Sequence, residues 1–210
     1  MATVKIKVCG ITSLGDALMA LEAGADALGF MFYEPSPRYV TYDHAGGIIR
    51  RLPPSIAKVG VFVNPTEAAV RRAVAECGLD WLQFHGEETP KFCRRFAPLR
   101  VIKAFRIQNA DSLAALPAYA TDAWLLDSYV PDVPGGTGAR FNWDLALAAK
   151  RHGVPVILAG GLAPDNVAEA VRRVRPYGLD VSSGVESAPG KKDPAKLRDF
   201  IARARAAERQ

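Results

Sequence analysis

Eight short β-rich runs alternate with longer amphipathic runs along this chain, and that alternation constrains the fold more than any other feature. The runs end near Cys9, Phe32, Val63, Phe84, Phe105, Asp127, Ala159 and Ser182. Strict alternation of strands with helices is typical of a parallel sheet. The even pitch favours a closed (β/α)8 barrel, the TIM barrel, over an open doubly wound sheet, which leaves edges and usually has fewer strands. We therefore predict an α/β fold.

Composition places this barrel among ordinary globular proteins. The chain has 210 residues, 49% of them hydrophobic and 23% charged, and no linker divides it, so we expect residues 1–210 to form a single barrel domain. Its three cysteines contain no CxxC pair, which indicates a reducing compartment and neither disulfides nor a zinc site. The start lacks the apolar core of a signal peptide, and no apolar run approaches the ~20 residues that span a bilayer. We expect a cytoplasmic protein without a membrane partner.

The net charge of +5 raises the question of nucleic-acid binding. The basic residues are spread over many segments, usually with Asp or Glu nearby. Their densest cluster, "VRRVRP", lies on one predicted helix face without the interleaved aromatic residues that single-strand binding requires. Solvated helix faces explain the charge more simply, so we expect no nucleic-acid partner. An anionic substrate would also suit this charge.

The first run, "VKIKVC", places a thiol at the carboxyl end of a strand. Because side chains alternate along a strand and the apolar set should face the helices, Lys5, Lys7 and Cys9 should point into the barrel. Residues two apart on a strand are roughly 6.6 Å apart, a range at which Lys7 would lower the pKa of Cys9. A thiolate there could act as a base or a nucleophile. The alternative is a plain buried cysteine, which is how we interpret Cys77 and Cys93 on their helical stretches.

Other ionisable groups should share this end of the barrel. In "DAWLLDS", alternation points Asp127 inward at the end of the sixth strand, where an acid would face the base across the mouth. A turn or helix cap is the alternative for this carboxylate. His85 has the parity of Gln83 and should line the mouth, although a structural hydrogen bond is a simpler role than catalysis. Asp180 is a candidate partner for the inward Lys7, which requires N···O within about 4 Å.

Two glycine-containing loops predict a phosphate site. The seventh strand runs into "AGGLAPDNV" and the eighth into "SSGVE", where Ser183 and Glu186 match a capping box at a helix start. Glycines let backbone N–H groups approach a ligand closely, and phosphate sites in these barrels frequently follow strands seven and eight. The candidate phosphate-binding residues are Gly160, Gly161, Ser182, Ser183 and Gly184.

Two connections are longer than the others, those after the second and sixth strands. In a barrel both emerge at the catalytic rim, and long loops in compact domains are usually functional. The first carries Arg38 between restricting prolines, and its guanidinium could hold a carboxylate in a fork, with a plain surface arginine as the alternative. The second contains "PGGTG", whose glycines would let it act as a lid or merely as a turn-rich connection.

Taken together in order, "KVCGIT", "GFMFYEPSPRYV", "VGVFVN", "LQFHGEE", "LLDS", "GGTG", "ILAGGLAPDNV" and "LDVSSGVESAPGKKD" resemble the phosphoribosylanthranilate isomerase family of tryptophan biosynthesis. The likeness runs from about Lys5 to Lys196. It implies a single-domain (β/α)8 barrel and an Amadori rearrangement of N-(5-phosphoribosyl)anthranilate, without cofactor or metal. It also implies a general-base role for Cys9 and a general-acid role for Asp127. By the same resemblance Arg38 would hold the anthranilate carboxylate, and the two glycine loops would bind phosphate.

The resemblance leaves alternatives. Phe84 stands where a smaller aliphatic residue is expected, which we interpret as an outward-packing change. The histidine-pathway isomerase resembles this design but uses Asp where Cys9 stands, and triosephosphate isomerase would need a Glu base on strand six. Indoleglycerol-phosphate synthase needs an inward catalytic lysine, for which Lys7 or Lys103 would serve. A non-catalytic barrel acting as an interaction module would need neither Cys9 nor Asp127. We expect a monomer or a homodimer.

Overall fold

The computed structural model describes residues 3–127 and 143–209. Eight parallel strands close into a barrel in sequence order, and β8 pairs with β1 to complete it. The barrel strands are β1 (Lys5–Cys9), β2 (Ala27–Met31), β3 (Ala57–Phe62), β4 (Trp81–Phe84), β5 (Arg100–Arg106), β6 (Ala123–Asp127), β7 (Val156–Ala159) and β8 (Gly178–Val181). This closed order confirms the predicted (β/α)8 architecture. Closure leaves no strand edge of the barrel unpaired.

Helices cover the outside of the barrel. They are α1 (Leu14–Ala23), α2 (Tyr42–Ile49), α3 (Glu67–Cys77), α4 (Pro90–Cys93), α5 (Trp143–Lys150), α6 (Val167–Val174) and α7 (Pro194–Ala207). Side-chain caps mark the starts of α1 and α7: Ser13 accepts a hydrogen bond from the Asp16 N–H, and Asp193 accepts one from the Ala195 N–H. Within residues 3–127 and 143–209, no helix is both long and apolar enough to cross a bilayer.

The strand alternation separates two apolar layers. Side chains on one side of each strand pack against the helices, as Val8, Trp124 and Leu126 do. The other side fills the barrel interior with a smaller cluster: Val59, Ile102, Ala104, Ala123, Leu125, Ile157 and Ala159. Phe84 packs outward as expected, with its ring centroid 5.3 Å from that of Phe96. The interior is therefore a packed core, and ligands have room only at its ends.

Two connections differ from the predicted alternation. Between β5 and β6 the chain forms 3-10 turns at Ala110–Leu113 and Leu116–Ala118 in place of an α-helix. Pro117 and the capping box at Asn109 keep these turns short. After β8, a 3-10 turn (Ser183–Val185) leads into an antiparallel hairpin of β9 (Glu186–Ala188) and β10 (Lys191–Lys192).

Candidate active site

A cavity of about 210 Å³ opens at the carboxyl end of the barrel. It is lined by Cys9, Val61, Gln83, His85, Asp127, Ala159, Gly160, Gly161, Leu162, Asp180, Ser182 and Ser183. Eight of the eleven predicted site residues thus line one cavity, whereas Lys7, Arg38 and Gly184 do not line it. A second cavity of about 240 Å³ lies at the amino end, against Trp81 and Arg100. We assign the site to the carboxyl end, because the βα loops of a barrel converge there.

Cys9 ends β1 and is buried at the base of the mouth. The turn after it uses Gly10, whose φ of 76° is in the left-handed region. Gly29 on the neighbouring strand leaves the thiol its room, since a Cβ there would lie 2.8 Å from Sγ. The expected depression of the Cys9 pKa is wrong: burial raises the pKa of this thiol above its usual value, although the charge of Lys7 opposes that effect. This direction favours the thiol over the thiolate at neutral pH.

The predicted ion pair between Lys7 and Asp180 is confirmed. The Lys7 ammonium lies 2.7 Å from Asp180 Oδ1, and the two side chains are only 5% and 8% exposed. Burial disfavours the charge on Lys7, but Asp180 and Cys9 outweigh it and raise the pKa of Lys7. The pair therefore places a positive charge beneath the thiol, and Asp180 neutralises that charge from the neighbouring strand β8.

Asp127 ends β6 and meets His85 across the mouth. The His85 Nε2 atom lies 3.1 Å from Asp127 Oδ2, and its Nδ1 atom lies 3.0 Å from the amide nitrogen of Gln83. Because the Gln83 amide donates to Nδ1, His85 carries its proton on Nε2 and donates it to Asp127 Oδ2. The second amide atom, Gln83 Oε1, is buried without a hydrogen-bond partner among the described residues. His85 is thus a hydrogen-bonded side chain that orients Asp127.

The glycine loops after β7 and β8 pack directly on one another. Gly160 and Gly161 both have positive φ, 78° and 62°, so that the chain can turn sharply after β7. A Cβ on Gly184 would overlap the carbonyl oxygen of Leu162, which makes glycine necessary at that contact. Close packing of the two loops joins them into one surface facing the mouth.

Ser182 and Ser183 line the same surface. The Ser182 hydroxyl is buried and has no hydrogen-bond partner among the described residues, so it remains available to a ligand. The predicted capping box of Ser183 and Glu186 is wrong, because the 3-10 turn there has no side-chain cap and Glu186 begins β9. The carboxylate of Glu186 is bound elsewhere.

That carboxylate binds Arg38. The Arg38 Nε atom lies 2.9 Å from Glu186 Oε1 and its Nη2 atom 2.6 Å from Oε2, so the predicted fork holds a carboxylate of the protein itself. The hydrogen bonds to Glu186 raise the pKa of Arg38. The Arg38 stem crosses Gly10, where a Cβ would lie 2.5 Å from its Cδ. Arg38 therefore lies over the end of β1, and its Nη1 atom makes neither of the two hydrogen bonds to Glu186.

Sequence reasoning missed Glu186 and Lys192 as members of this site. Lys192 is completely buried and lies 2.8 Å from Glu186 Oε1. Hydrogen bonds from Arg38 and Lys192 outweigh burial and lower the pKa of Glu186. The sequence signal for Lys192 is "GKKD", the end of the motif that follows the eighth strand.

Lys103 is committed to a structural role. Its buried ammonium lies 3.2 Å from Glu88 Oε2 and donates to the carbonyls of Gly86 and Ala104 at 2.7 and 2.9 Å. These contacts tie β5 to the loop that follows His85. All three ammonium protons therefore have acceptors, which disfavours a catalytic lysine of the indoleglycerol-phosphate synthase type.

The loop after β6, with its "PGGTG" stretch, is a candidate lid in the sequence and lies outside the described residues. Within the described ranges, no group of three or more His, Cys, Asp and Glu side chains is arranged to hold a metal ion.

Comparison with known proteins assigns the chain to a family. The family model described as N-(5'phosphoribosyl)anthranilate (PRA) isomerase matches residues 6–203. The chain belongs to this family. A Geobacter metallireducens N-(5'-phosphoribosyl)anthranilate isomerase is 59% identical over 203 residues, which cover 97% of this chain and 100% of the relative.

Solved structures agree with the sequence comparison. The phosphoribosyl anthranilate isomerase of Thermotoga maritima superposes with a TM-score of 0.92 at 41% identity, covering 97% of this chain and 100% of that one. Another phosphoribosyl anthranilate isomerase was solved in complex with reduced 1-(o-carboxyphenylamino)-1-deoxyribulose 5-phosphate. It is 40% identical, with a TM-score of 0.89 over 97% of this chain and all of that one. Family membership therefore rests on sequence and on fold.

Proposed function

We propose that this chain catalyses the isomerisation of N-(5'-phosphoribosyl)anthranilate to 1-(2-carboxyphenylamino)-1-deoxyribulose 5-phosphate. One observation carries the proposal: a thiol on β1 and a carboxyl group on β6, Cys9 and Asp127, line the same cavity as the two glycine loops. An aldose–ketose rearrangement needs one acid and one base within reach of a single sugar, together with an anchor for its phosphate. The family relationship supports this choice of sugar.

In the first step Asp127, protonated, is the general acid. It gives its proton to the ring oxygen of the ribose, the C1–O bond breaks, and the nitrogen lone pair forms a C1=N iminium. The ring opens without loss of atoms, and Asp127 becomes a carboxylate. His85 at 3.1 Å then stabilises this carboxylate by donating its Nε2 proton.

In the second step Cys9 is the general base. As a thiolate it takes the proton from C2, whose bonding electrons form a C1=C2 double bond while the nitrogen recovers its lone pair. The resulting enol passes its hydroxyl proton to the Asp127 carboxylate and takes the proton now on Cys9 at C1, which yields the ketone and restores both groups. Burial raises the pKa of the Cys9 thiol. The Lys7 charge and the developing iminium both favour the thiolate against that penalty.

The remaining residues bind the substrate. Gly160, Gly161, Ser182, Ser183 and Gly184 supply backbone N–H groups and hydroxyls for the phosphate, and the Nη1 edge of Arg38 faces the anthranilate carboxylate. The surplus of positive charge on the protein suits a substrate with two anionic groups, a phosphate and a carboxylate. The proposal uses no metal and no cofactor, since proton transfers alone complete the chemistry. We place the reaction in the cytoplasm, which the three cysteines without a CxxC pair support.

The test is the loss of anthranilate-type fluorescence when the purified protein meets freshly made phosphoribosylanthranilate. Cys9→Ser and Asp127→Asn should each lower kcat by roughly a hundredfold or more, the range for general acid–base catalysis. Cys93→Ala and Asp111→Asn, which alter the same residue types outside the cavity, should retain activity.

Two results would contradict the proposal. A wild-type protein that binds ribulose 5-phosphate but leaves phosphoribosylanthranilate unchanged would keep the phosphate site and refute this isomerase activity. Full activity in both Cys9→Ser and Asp127→Asn would retain the reaction and refute the assignment of acid and base.

A further inference from the structure

Lys192 on β10 is a buried ammonium group that the proposed chemistry does not use. Its side chain is 0% exposed. The Nζ atom donates to the Cys9 carbonyl at 2.5 Å and to Glu186 Oε1 at 2.8 Å, and the Ser182 carbonyl lies 3.5 Å away. Burying a charge costs free energy even when the charge is paired, so a lysine in this place points to a role beyond stability.

The three acceptors of Lys192 belong to three different parts of the mouth. Cys9 is the proposed base, Ser182 begins the loop that faces the phosphate, and Glu186 holds the guanidinium of Arg38 with two hydrogen bonds. A single ammonium group therefore connects the ends of β1 and β8 with the loop after β2.

The hairpin of β9 and β10 is itself anchored to the β1 side of the barrel. The Thr12 hydroxyl donates to the Gly190 carbonyl at 2.5 Å, and the Lys192 N–H donates to Asp16 Oδ2 at 3.3 Å. On the other side, the Asp193 N–H donates to the Val185 carbonyl at 2.8 Å. Because both ends are held, Lys192 is not free to follow a moving loop.

We propose that Lys192 is a positioning residue that aims Arg38, through Glu186, at the carboxylate of the substrate and holds the phosphate loop in register with Cys9. The proposal rests on the role of Arg38 given under Proposed function. The cluster of Lys192, Glu186 and Arg38 carries two positive charges and one negative charge. Its surplus positive charge faces a substrate carboxylate only while Lys192 shares the neutralisation of Glu186.

Loss of the ammonium should change this balance. In Lys192→Met the Glu186 carboxylate has Arg38 as its remaining partner, so the cluster becomes neutral and attracts an anion less. The Cys9 and Ser182 carbonyls also lose their common donor. Binding of the substrate carboxylate should therefore weaken most. The position of Cys9 should also become less well defined.

The experiment compares two ligands by calorimetry. One is reduced 1-(o-carboxyphenylamino)-1-deoxyribulose 5-phosphate, and the other is the same compound without the carboxylate. We expect the wild type to bind the first more tightly, by about tenfold or more, as for a charge-assisted arginine contact. Lys192→Met should lose most of that preference, whereas Lys191→Met, an exposed lysine one residue away, should keep it.

The outcomes separate the two proposals. If the wild type binds both ligands equally, the role of Arg38 is wrong and this inference falls with it, although turnover of phosphoribosylanthranilate would leave the isomerase activity standing. If the wild type prefers the carboxylate and Lys192→Met retains that preference, the positioning role is refuted while Arg38 keeps its role.

A second variant covers the case in which Lys192→Met does not fold, as judged by circular dichroism. Lys192→Gln removes the positive charge but keeps an amide that can donate to the Cys9 carbonyl. It should lose the carboxylate preference as well, because the cluster becomes neutral, and an unchanged preference would overturn the inference. Lys192→Arg, which restores a buried cation, should recover part of the preference.

Discussion

Replacing Asp180 by Asn leaves a buried ammonium group without its counter-charge. Lys7 and Asp180 are 2.7 Å apart and nearly inaccessible to water, so neither charge has solvent to replace the other. The substitution preserves the shape of the side chain. Any loss of stability therefore reports the missing charge and not a cavity.

The expected magnitude follows from that burial. Breaking a buried ion pair by removing one partner costs about 3–5 kcal/mol of unfolding free energy. For a domain of this size each kcal/mol lowers Tm by roughly 2–4 °C, so Asp180→Asn should melt at least about 6 °C below the wild type. A surface pair of equal length provides the control, since Arg203 and Asp199 are also 2.7 Å apart but about half exposed. Asp199→Asn should cost less than about 1 kcal/mol.

The pH dependence gives an independent check on the cause. The pKa of Lys7 is raised in the folded wild type. The pair therefore stabilises the protein fully below the unfolded pKa of 10.5, and that contribution is lost only as the pH rises above it. In Asp180→Asn burial lowers the pKa of Lys7, so its ammonium sheds its proton at a lower pH. The difference in stability between variant and wild type should be largest near pH 7 and smaller at pH 10.

Urea unfolding at both pH values, followed by circular dichroism, measures these differences. The double variant Lys7→Met/Asp180→Leu should recover most of the lost stability, because replacing both charges removes the desolvation penalty. A loss in Asp180→Asn no greater than that in Asp199→Asn would refute the reasoning. The reasoning would also be refuted if the difference in unfolding free energy between Asp180→Asn and the wild type were the same at pH 7 and pH 10.

Three further changes have definite outcomes. Gly184→Ala should collide with the loop after β7 and lower kcat/KM by roughly a hundredfold, with weaker binding of ribulose 5-phosphate; unchanged kinetics would exclude close loop packing. His85→Asn should lower kcat more than it changes KM, because it removes the hydrogen-bond partner of Asp127 during proton transfer; an effect on KM alone would contradict that role. Burial raises the pKa values of Cys77 and Cys93 to about 11, so the unfolding free energy should fall between pH 9 and pH 11, where unfolded thiols release protons first. Urea titrations of Cys77→Ala/Cys93→Ala should show a smaller fall, and an equal fall would assign it to other groups.

Local patterns in the sequence predict most of the barrel and show which end of it carries the candidate site. Strand alternation is a property of each segment, so the inward direction of Lys7, Cys9 and Asp127 follows from period-two patterning alone. Helix caps are equally local, as the contact between Ser13 and the Asp16 N–H at the start of α1 illustrates. The parallel order of the strands then brings their carboxyl ends to one face.

Local sequence patterns predict the eight strands, their order, the apolar layers and the side chains that point inward. The hydrogen-bond partners and the directions of the pKa shifts depend on the folded structure. Glu186 fits a local capping pattern, yet its carboxylate binds Arg38, 148 residues away. Cys9 has a lysine beside it, yet burial controls the pKa of its thiol. Both outcomes depend on desolvation and on contacts between distant loops, which exist only after the barrel has closed.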